Sequence, residues 1–182
     1  MGEYVIRKSS LTELADIIRE KVGPEMDYFT NRAMFNIDSL PEGVTSIGQY
    51  AFHNCTNLAL TSLPEGVTSI DDNAFGYCTN LALTSLPKGL SRIGWYAFQN
   101  CTNLALTSLP EGVRSIVQYA FQNCTSLTSL TFKGTPTGIA SDVFYGCTNL
   151  TTINVPWSEG EVANAPWGAT NATINYNYTE GE

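Results

Sequence analysis

Apolar residues recur along most of this chain at the same places in a 23-residue unit. An Ala-Phe pair, first at Ala51-Phe52, and a Leu-Pro pair, first at Leu40-Pro41, keep this step through four successive units. Cysteine keeps it through five, at Cys55, Cys78, Cys101, Cys124 and Cys147. A fixed period of this length is typical of a solenoid, in which each unit covers the apolar face of its neighbour.

Spacing within one unit predicts two elements. Ile47, Ala51 and Cys55 are four residues apart, which is typical of a short helical turn on the outer wall of a solenoid. The stretch from Leu58 to Leu63 predicts a short strand that ends at Pro64, because proline cannot donate to a sheet ladder. Stacked units would then form a parallel sheet with a spacing of about 4.8 Å.

The pattern Ile-Gly-x-x-Ala-Phe-x-x-Cys-x-x-Leu, followed by Leu-Pro, resembles the BspA-like (Treponema-type) leucine-rich repeats over residues 29–156. The resemblance implies a leucine-rich-repeat solenoid, a right-handed coil with short parallel strands on one face and short helical turns on the other. Members are mostly bacterial surface and secreted adhesion modules, and similar arrays occur in phage and prophage proteins. The middle units depart from the family's Leu-x-x-Leu-x-Leu spacing, because their second leucine, as in Leu58-Ala-Leu60-Thr-Ser-Leu63, stands one place forward.

The flanks of the array predict caps, because a solenoid must cover two exposed ends. Residues 1–25 predict an N-terminal capping helix that begins with a Ser-x-x-Glu capping box. Residues 26–156 hold the repeats, of which the first is degenerate, and residues 157–182 predict a C-terminal cap with a last strand over the final coil. The residues that indicate this cap are Trp157, Trp167, Ile174, Tyr176 and Tyr178.

Two segments near the ends of the chain carry a second resemblance. The opening stretch, Tyr4 to Lys21, resembles the start of phage and prophage tail-associated proteins of Gram-positive gut bacteria. The closing stretch, Ile153 to Thr170, is similar to the same group. This resemblance implies a tail-associated role.

Charge and hydropathy narrow the partners and the compartment. The 182 residues carry 17 acidic and nine basic side chains, a net charge of −8, and no basic residue follows Lys133. Such a surface repels phosphate backbones, so nucleic acid is not expected as a partner. No apolar run is long enough to span a membrane, and no signal peptide is visible. We therefore expect a protein that is virion-associated or cytoplasmic as synthesised, or at the extracellular surface if a signal was removed, and no membrane insertion.

The sequence predicts no catalytic, cofactor-binding or metal site. The cysteines are odd in number and lack Cys-x-x-Cys pairs, so buried reduced thiols are expected rather than disulfides or zinc ligands. The single histidine, His53, has no second histidine and no cysteine outside the ladder to pair with. Asp71-Asp72 is too small a carboxylate set for calcium. We therefore expect a protein that is not an enzyme and takes no cofactor.

Two surfaces are candidates for binding. If Leu63 points inward, strand alternation turns an aliphatic row outward, where it would suit binding or self-association. The alternative is a shifted strand or bulge that buries this row in the core. The row comprises Ile37, Leu60, Leu83 and Leu106. The second surface is the outer wall, where the repeat aligns Tyr50, Trp95, Tyr96 and Tyr119.

Three functions are compatible with these observations. The first is a non-catalytic binding or adhesion module, namely a phage or prophage tail-associated protein that recognises a bacterial surface component. The second is a bacterial cell-surface adhesin that binds a host protein or glycan. The third is a structural spacer in a larger assembly. No residue code for solenoid ligands exists, so the sequence predicts an unspecified protein or glycan partner on a cell surface.

Overall fold

A computed structural model describes residues 39–40 and 42–179, which form a parallel-stranded solenoid of about six turns. Its two sheets have the strand orders β1-β2-β3-β5-β7 and β4-β6-β8-β9, and every pair is parallel. The register advances by one 23-residue unit per coil, so that Ile47 pairs with Ile70 and Leu109 with Phe132. The strands are β1 (Ser46–Ile47), β2 (Ser69–Ile70), β3 (Arg92–Ile93), β4 (Ser108–Leu109), β5 (Ser115–Ile116), β6 (Ser129–Phe132), β7 (Gly138–Ile139), β8 (Thr152–Asn154) and β9 (Thr173–Asn175).

The outer wall, residues 48–55 and their equivalents in later coils, consists of successive tight turns. In the first coil the amides of Ala51, His53 and Cys55 donate to carbonyls three residues back at 3.0–3.2 Å. The intervening amides, from Tyr50 to Asn54, donate to carbonyls of the next coil at 2.7–3.1 Å. Tyr50 and Asn54 have φ values of 57° and 64°, through which an α-helix cannot continue. The prediction of helical turns was therefore wrong, and no helix occurs within residues 42–179.

The aliphatic row lies in the core. Leu60 and Leu83 are 0% exposed and Leu106 is 2% exposed, so the exposed-stripe interpretation was wrong and the row is buried in the core, as the alternative interpretation has it. Thr61 and Ser62 both face solvent, which breaks the two-residue alternation before the chain returns inward. Burial of a leucine stabilises the fold by roughly 1.5–3 kcal/mol. The chain therefore buries this leucine and gives up the regular two-residue alternation of a strand. Ile37 lies outside the described residues.

The units that carry the displaced leucine contribute only one short strand, β4, to the second sheet. Beside Leu60 and Leu83 the coils remain joined by hydrogen bonds, such as Ala82 N to Leu60 O at 3.2 Å, but no strand forms there. The fourth and fifth units regain the family spacing, with the central apolar residue at Leu130 and Ile153. In those units β6 and β8 pair over three residues.

Stacked columns of identical side chains fill the core. Five phenylalanine rings lie parallel to one another with centroids 5.2–5.5 Å apart, namely those of Phe52, Phe75, Phe98, Phe121 and Phe144. The cysteines run beside them as free, buried thiols, as the sequence predicts. Each of the last four thiols donates to a phenylalanine carbonyl of the preceding coil, for example Cys78 Sγ to Phe52 O at 2.9 Å. The thiol therefore serves both as a small apolar filler and as a hydrogen-bond donor between coils.

A further coil covers the C-terminal end of the array. The amide of Phe144 donates to the carbonyl of Trp167, 23 residues later, at 2.9 Å, so Trp167 takes the phenylalanine place of a degenerate unit. Its ring is fully buried and packs near Phe132 and Trp157. The last strand, β9, pairs with β8. The predicted N-terminal capping helix, residues 1–25, lies outside the described residues, and the described part contains no helix that could span a membrane.

Burial of the displaced leucines leads to a stability prediction. Leu83→Ala should lower the free energy of unfolding by about 2–5 kcal/mol, because it leaves a cavity between two coils. Thr84→Ala, at the exposed neighbouring position, is the matched control and should stay within about 0.5 kcal/mol. Urea denaturation followed by circular dichroism measures both. Equal, small effects would contradict the buried position of Leu83.

The buried thiols predict a loss of stability at alkaline pH. Burial raises the pKa of Cys147 from 9.0 to about 12 and raises the pKa values of Cys101 and Cys124 as well. The thiols are protonated in both the folded and the unfolded chain below pH 9, so the free energy of unfolding is highest there. It falls as the pH rises from 9 towards 12, because the thiols ionise first in the unfolded chain. The urea midpoint should therefore fall above pH 9. Cys147→Ala should make the fall of the unfolding free energy with pH shallower by about 1.4 kcal/mol per pH unit. An unchanged pH dependence would refute the assignment.

Candidate binding surface on the outer wall

Exposed aromatic rings are concentrated on the outer wall. Among the described residues, four of the five exposed large apolar side chains lie there, and each is 41–56% exposed. These four are Tyr50, Tyr77, Trp95 and Tyr145. Scattered exposed aromatics are ordinary on a protein surface, but a group on one face of a solenoid is typical of a binding surface.

Several tyrosines of the outer wall have a positive backbone φ, a conformation that bulky residues rarely adopt. Each of the first four coils has two residues with φ between 55° and 64°. The first place is occupied by Tyr50, Asn73, Tyr96 and Tyr119, and the second by Asn54, Tyr77, Asn100 and Asn123. Asparagine tolerates this left-handed region, whereas a bulky residue there costs about 1–3 kcal/mol. Tyrosine at four of the eight places is strain of the kind that is concentrated at functional sites.

One aromatic group lies across the first two coils. The imidazole of His53 meets the ring of Tyr50 edge to face at 5.5 Å and the ring of Tyr77 at 5.5 Å. Such T-shaped contacts suit the opposite charges of a ring edge and a ring face, and they fix the orientation of all three rings. The group is therefore a rigid aromatic corner.

A second aromatic group covers the third to fifth coils. Tyr96 and Tyr119 stack at 5.2 Å with an interplanar angle of 10°, and Trp95 lies beside Tyr96 at 6.1 Å. Tyr145 closes the group with an edge contact to Tyr119 at 6.2 Å. Asp142 raises the pKa of Tyr119 through a hydrogen bond and its negative charge. The phenol is a neutral donor and acceptor at physiological pH, as an ordinary tyrosine is.

A depression of about 740 Å³ lies between the two groups. Its lining consists of Tyr50, His53, Asn54, Asn73, Tyr77, Tyr96, Gln99 and Gln122. None of these side chains is an acid, a lysine or an arginine, although the chain carries a net charge of −8. The depression therefore presents rings and amides to a ligand, without formal charge from Asp, Glu, Lys or Arg.

A glycine lies beside this depression. The column that contains His53 continues through Gly76 to Gln99 and Gln122, whose amides are joined by a hydrogen bond of 2.6 Å. Gly76 contributes no side chain to this column, and the ring of His53 leans over it, since an added Cβ would lie 3.0 Å from His53 Cδ2. The missing side chain interrupts the amide ladder at the depression.

The backbone of Trp95 is held by the carboxylate of Asp72. The Asp72 carboxylate accepts the backbone N–H of Trp95 at 2.8 Å and an Arg92 N–H at 3.3 Å, and Asp71 accepts from Arg92 at 3.2 Å. The Asp71-Asp72 pair thus belongs to an ion-pair network. Within residues 42–179 no group of three metal-ligating side chains comes together.

The structure brings together only part of the predicted site. Tyr50 and Tyr96 line the depression, and Trp95 and Tyr119 stack at its border, whereas the leucine row is in the core. Sequence reasoning missed His53, which it treated only as an isolated variable residue, and it missed Tyr77, Gly76 and Tyr145. The available signal was departure from the repeat, because Tyr77 stands where other coils have asparagine or glycine, and Gly76 stands where they have larger side chains.

Comparison with known proteins finds similarity to leucine-rich repeat proteins. A family model described as BspA type leucine rich repeat region matches residues 25–151 in six copies. A leucine-rich repeat protein from Bacteroides ovatus is similar at 30% identity with a TM-score of 0.56, over 69% of this chain and 33% of that one. The T. pallidum leucine rich repeat protein is similar at the same identity and TM-score, over 79% of this chain and 67% of that one. The chain therefore spans about a third of the first protein, and no curated protein matches it significantly.

Exposure of the border tryptophan can be measured directly. Trp95 is 47% exposed, whereas Trp157 and Trp167 are 3% and 0% exposed. The neutral quencher succinimide should therefore reach a single class of tryptophan, and Trp95→Phe should abolish most of the quenching. A variant that is quenched as strongly as the unmodified protein would show that a cap tryptophan is accessible and would contradict this structure of the C-terminal coil.

Proposed function

The chain belongs to the BspA-type leucine-rich repeat family, and from that premise we propose that it is a non-catalytic binding module that recognises a component of a cell surface. The observation that carries the proposal is the outer-wall surface, where exposed aromatic rings border an uncharged depression. Concave sites lined by aromatic side chains and a few oriented polar groups are the usual form of a ligand site.

The surface is preorganised for binding. The left-handed backbone at Tyr96 and Tyr119 and the stacking of their rings restrict both side chains before a ligand arrives. An ordered surface loses less conformational entropy on association, so more of the contact energy remains as affinity. Tyrosine suits this role because its ring supplies apolar area and its hydroxyl supplies a hydrogen bond.

The chemistry of the described residues supports binding rather than catalysis. His53 lies between two tyrosines, and the cysteine thiols are buried. Burial raises the pKa values of Cys101, Cys124 and Cys147. Nucleophilic catalysis requires an accessible nucleophile in contact with a base, and these groups are not arranged in that way. Of the acids near the aromatic surface, Asp71 and Asp72 pair with Arg92, and Asp142 accepts a hydrogen bond from Tyr119.

Two biological settings fit such a module. A phage or prophage tail-associated protein that recognises a bacterial surface is favoured by the resemblance of the segments 4–21 and 153–170 to tail proteins. A bacterial surface adhesin that binds a host protein or glycan is favoured by the similarity to leucine-rich repeat proteins of B. ovatus and T. pallidum. A structural spacer would have no need of the strained tyrosines.

Cell binding tests the proposal. Fluorescently labelled full-length chain should bind saturably to Gram-positive gut bacteria in the first setting, or to mammalian epithelial cells in the second. The double variant Tyr96→Asn/Tyr119→Asn should bind at least about tenfold more weakly, because truncating central aromatic anchors commonly removes that much affinity. Asparagine suits the positive φ at both places, so the fold should be retained.

The matched control is Tyr178→Asn, which removes an exposed tyrosine outside the outer wall. It should bind like the unmodified chain. Absence of saturable binding to both cell types would overturn the proposal in favour of a spacer. Equal binding by the double variant would move the site to another surface.

A further inference from the structure

We infer that the outer-wall depression is a binding site for an uncharged oligosaccharide, an inference that rests on the proposed binding function and specifies its ligand. The eight residues that line it supply aromatic rings, amides and phenols, and they border an open depression of about 740 Å³. This volume lies within the range of roughly 300–1,000 Å³ that small-ligand sites occupy.

The absence of Asp, Glu, Lys and Arg from the lining selects the class of ligand. A site for an acidic sugar, a phosphate or an acidic peptide requires Arg or Lys, because an anion is otherwise desolvated without compensation. Arg92, a described cation that contacts the same Asp72 carboxylate as the Trp95 amide, is already paired with Asp71 and Asp72. A cationic ligand would require carboxylates in the lining, and none of the described residues that line the depression supplies one. A ligand without charge is the remaining match.

The polar groups of the lining match hydroxyl groups. Asn54, Asn73, Gln99 and Gln122 each carry an amide that can donate and accept, and tyrosine hydroxyls do the same. A sugar hydroxyl is also both a donor and an acceptor, so either orientation can be satisfied. Because Gln99 and Gln122 are joined at 2.6 Å, their orientation is fixed before binding.

The rings supply the apolar part of the same recognition. A hexose presents C–H groups on one face, and this face packs on an aromatic ring while the hydroxyls at its edge remain free for hydrogen bonds. Tyr50 and Tyr77 stand on one side of the depression and Tyr96 on the other. An oligosaccharide chain can therefore contact a ring at each end and amides between them.

Two departures from the repeat create this site. Gly76 carries no side chain in the column of His53 and Gln99, and the ring of His53 lies over it, beside the depression. Tyr77 has a φ of 63°, and the equivalent place in the other coils is occupied by Asn54, Asn100 and Asn123. Asparagine is less strained than tyrosine in this conformation. Substitutions that restore the repeat at these places should improve or preserve the fold while they remove the site.

Gly76→Gln is the first test. It continues the glutamine ladder into the depression, and its added Cβ requires only a small shift of the His53 ring. Binding of uncharged tri- and tetrasaccharides of hexose or N-acetylhexosamine, measured by titration calorimetry, should become at least about tenfold weaker than for the unmodified chain. Gly138→Ser is the control, because an added Cβ there meets nothing within 4 Å and Ser115 is its register partner.

Tyr77→Asn is the second test and separates binding from folding. The melting temperature should stay equal or rise, because asparagine adopts positive φ more readily than tyrosine, while oligosaccharide affinity should fall by at least about tenfold. A merely structural tyrosine would give the opposite outcome, a lower melting temperature with unchanged affinity.

The probes separate this inference from the proposed function. Saturable binding of uncharged oligosaccharides that both variants weaken supports it. Binding only to sialylated or sulfated oligosaccharides or to peptides, binding that the variants leave unchanged, or no binding by the unmodified chain overturns it. If the chain still binds cells in any of these cases, the proposed function stands and only the ligand class is wrong. Loss of cell binding altogether would instead refute the proposed function.

Discussion

The pair of left-handed residues in each of the first four coils is the constraint on which the outer wall depends. Residues such as Tyr50 and Asn54 reverse the chain twice within a few residues, so that alternate amides donate within the coil and to the next coil. Buried amides are thereby satisfied without a helix. Because the bonds to the next coil link equivalent places, the coils must stack with every side chain over its counterpart one unit away.

This stacking explains the columns of identical residues. Parallel phenylalanine rings in successive coils pack against one another without voids. A residue of different shape in this column would leave a void next to the ring of the coil before it and the ring of the coil after it. Cysteine at its place is small enough for the core and still donates to a phenylalanine carbonyl. At the end of the array Trp167 replaces phenylalanine and covers a ring that would otherwise meet water. Repetition is therefore a packing requirement of this fold.

Interruptions of the repeat are the places where such a molecule can acquire specificity. Gly76 has no side chain in a column that His53, Gln99 and Gln122 occupy in other coils. Tyr77 has a strained positive φ, and asparagine at that position would relieve the strain. Neither change improves packing. In the proposed site, stability and ligand recognition therefore oppose each other at these two positions, as is common where a binding surface is built on a regular scaffold. The aromatic corner around His53 lies at the same place.

The sequence alone determined the period, the parallel stacking and the buried places of phenylalanine and cysteine, because one register governs them all. It also aligned Tyr50 and Tyr96 on one wall. Tertiary structure decided what periodicity does not encode. A spacing of four residues fits both a helix and two successive turns, and only the φ values of the outer wall distinguish them. Leu60 entered the core because burial outweighed alternation. His53 met Tyr77 because contacts between coils join residues that are distant in the chain.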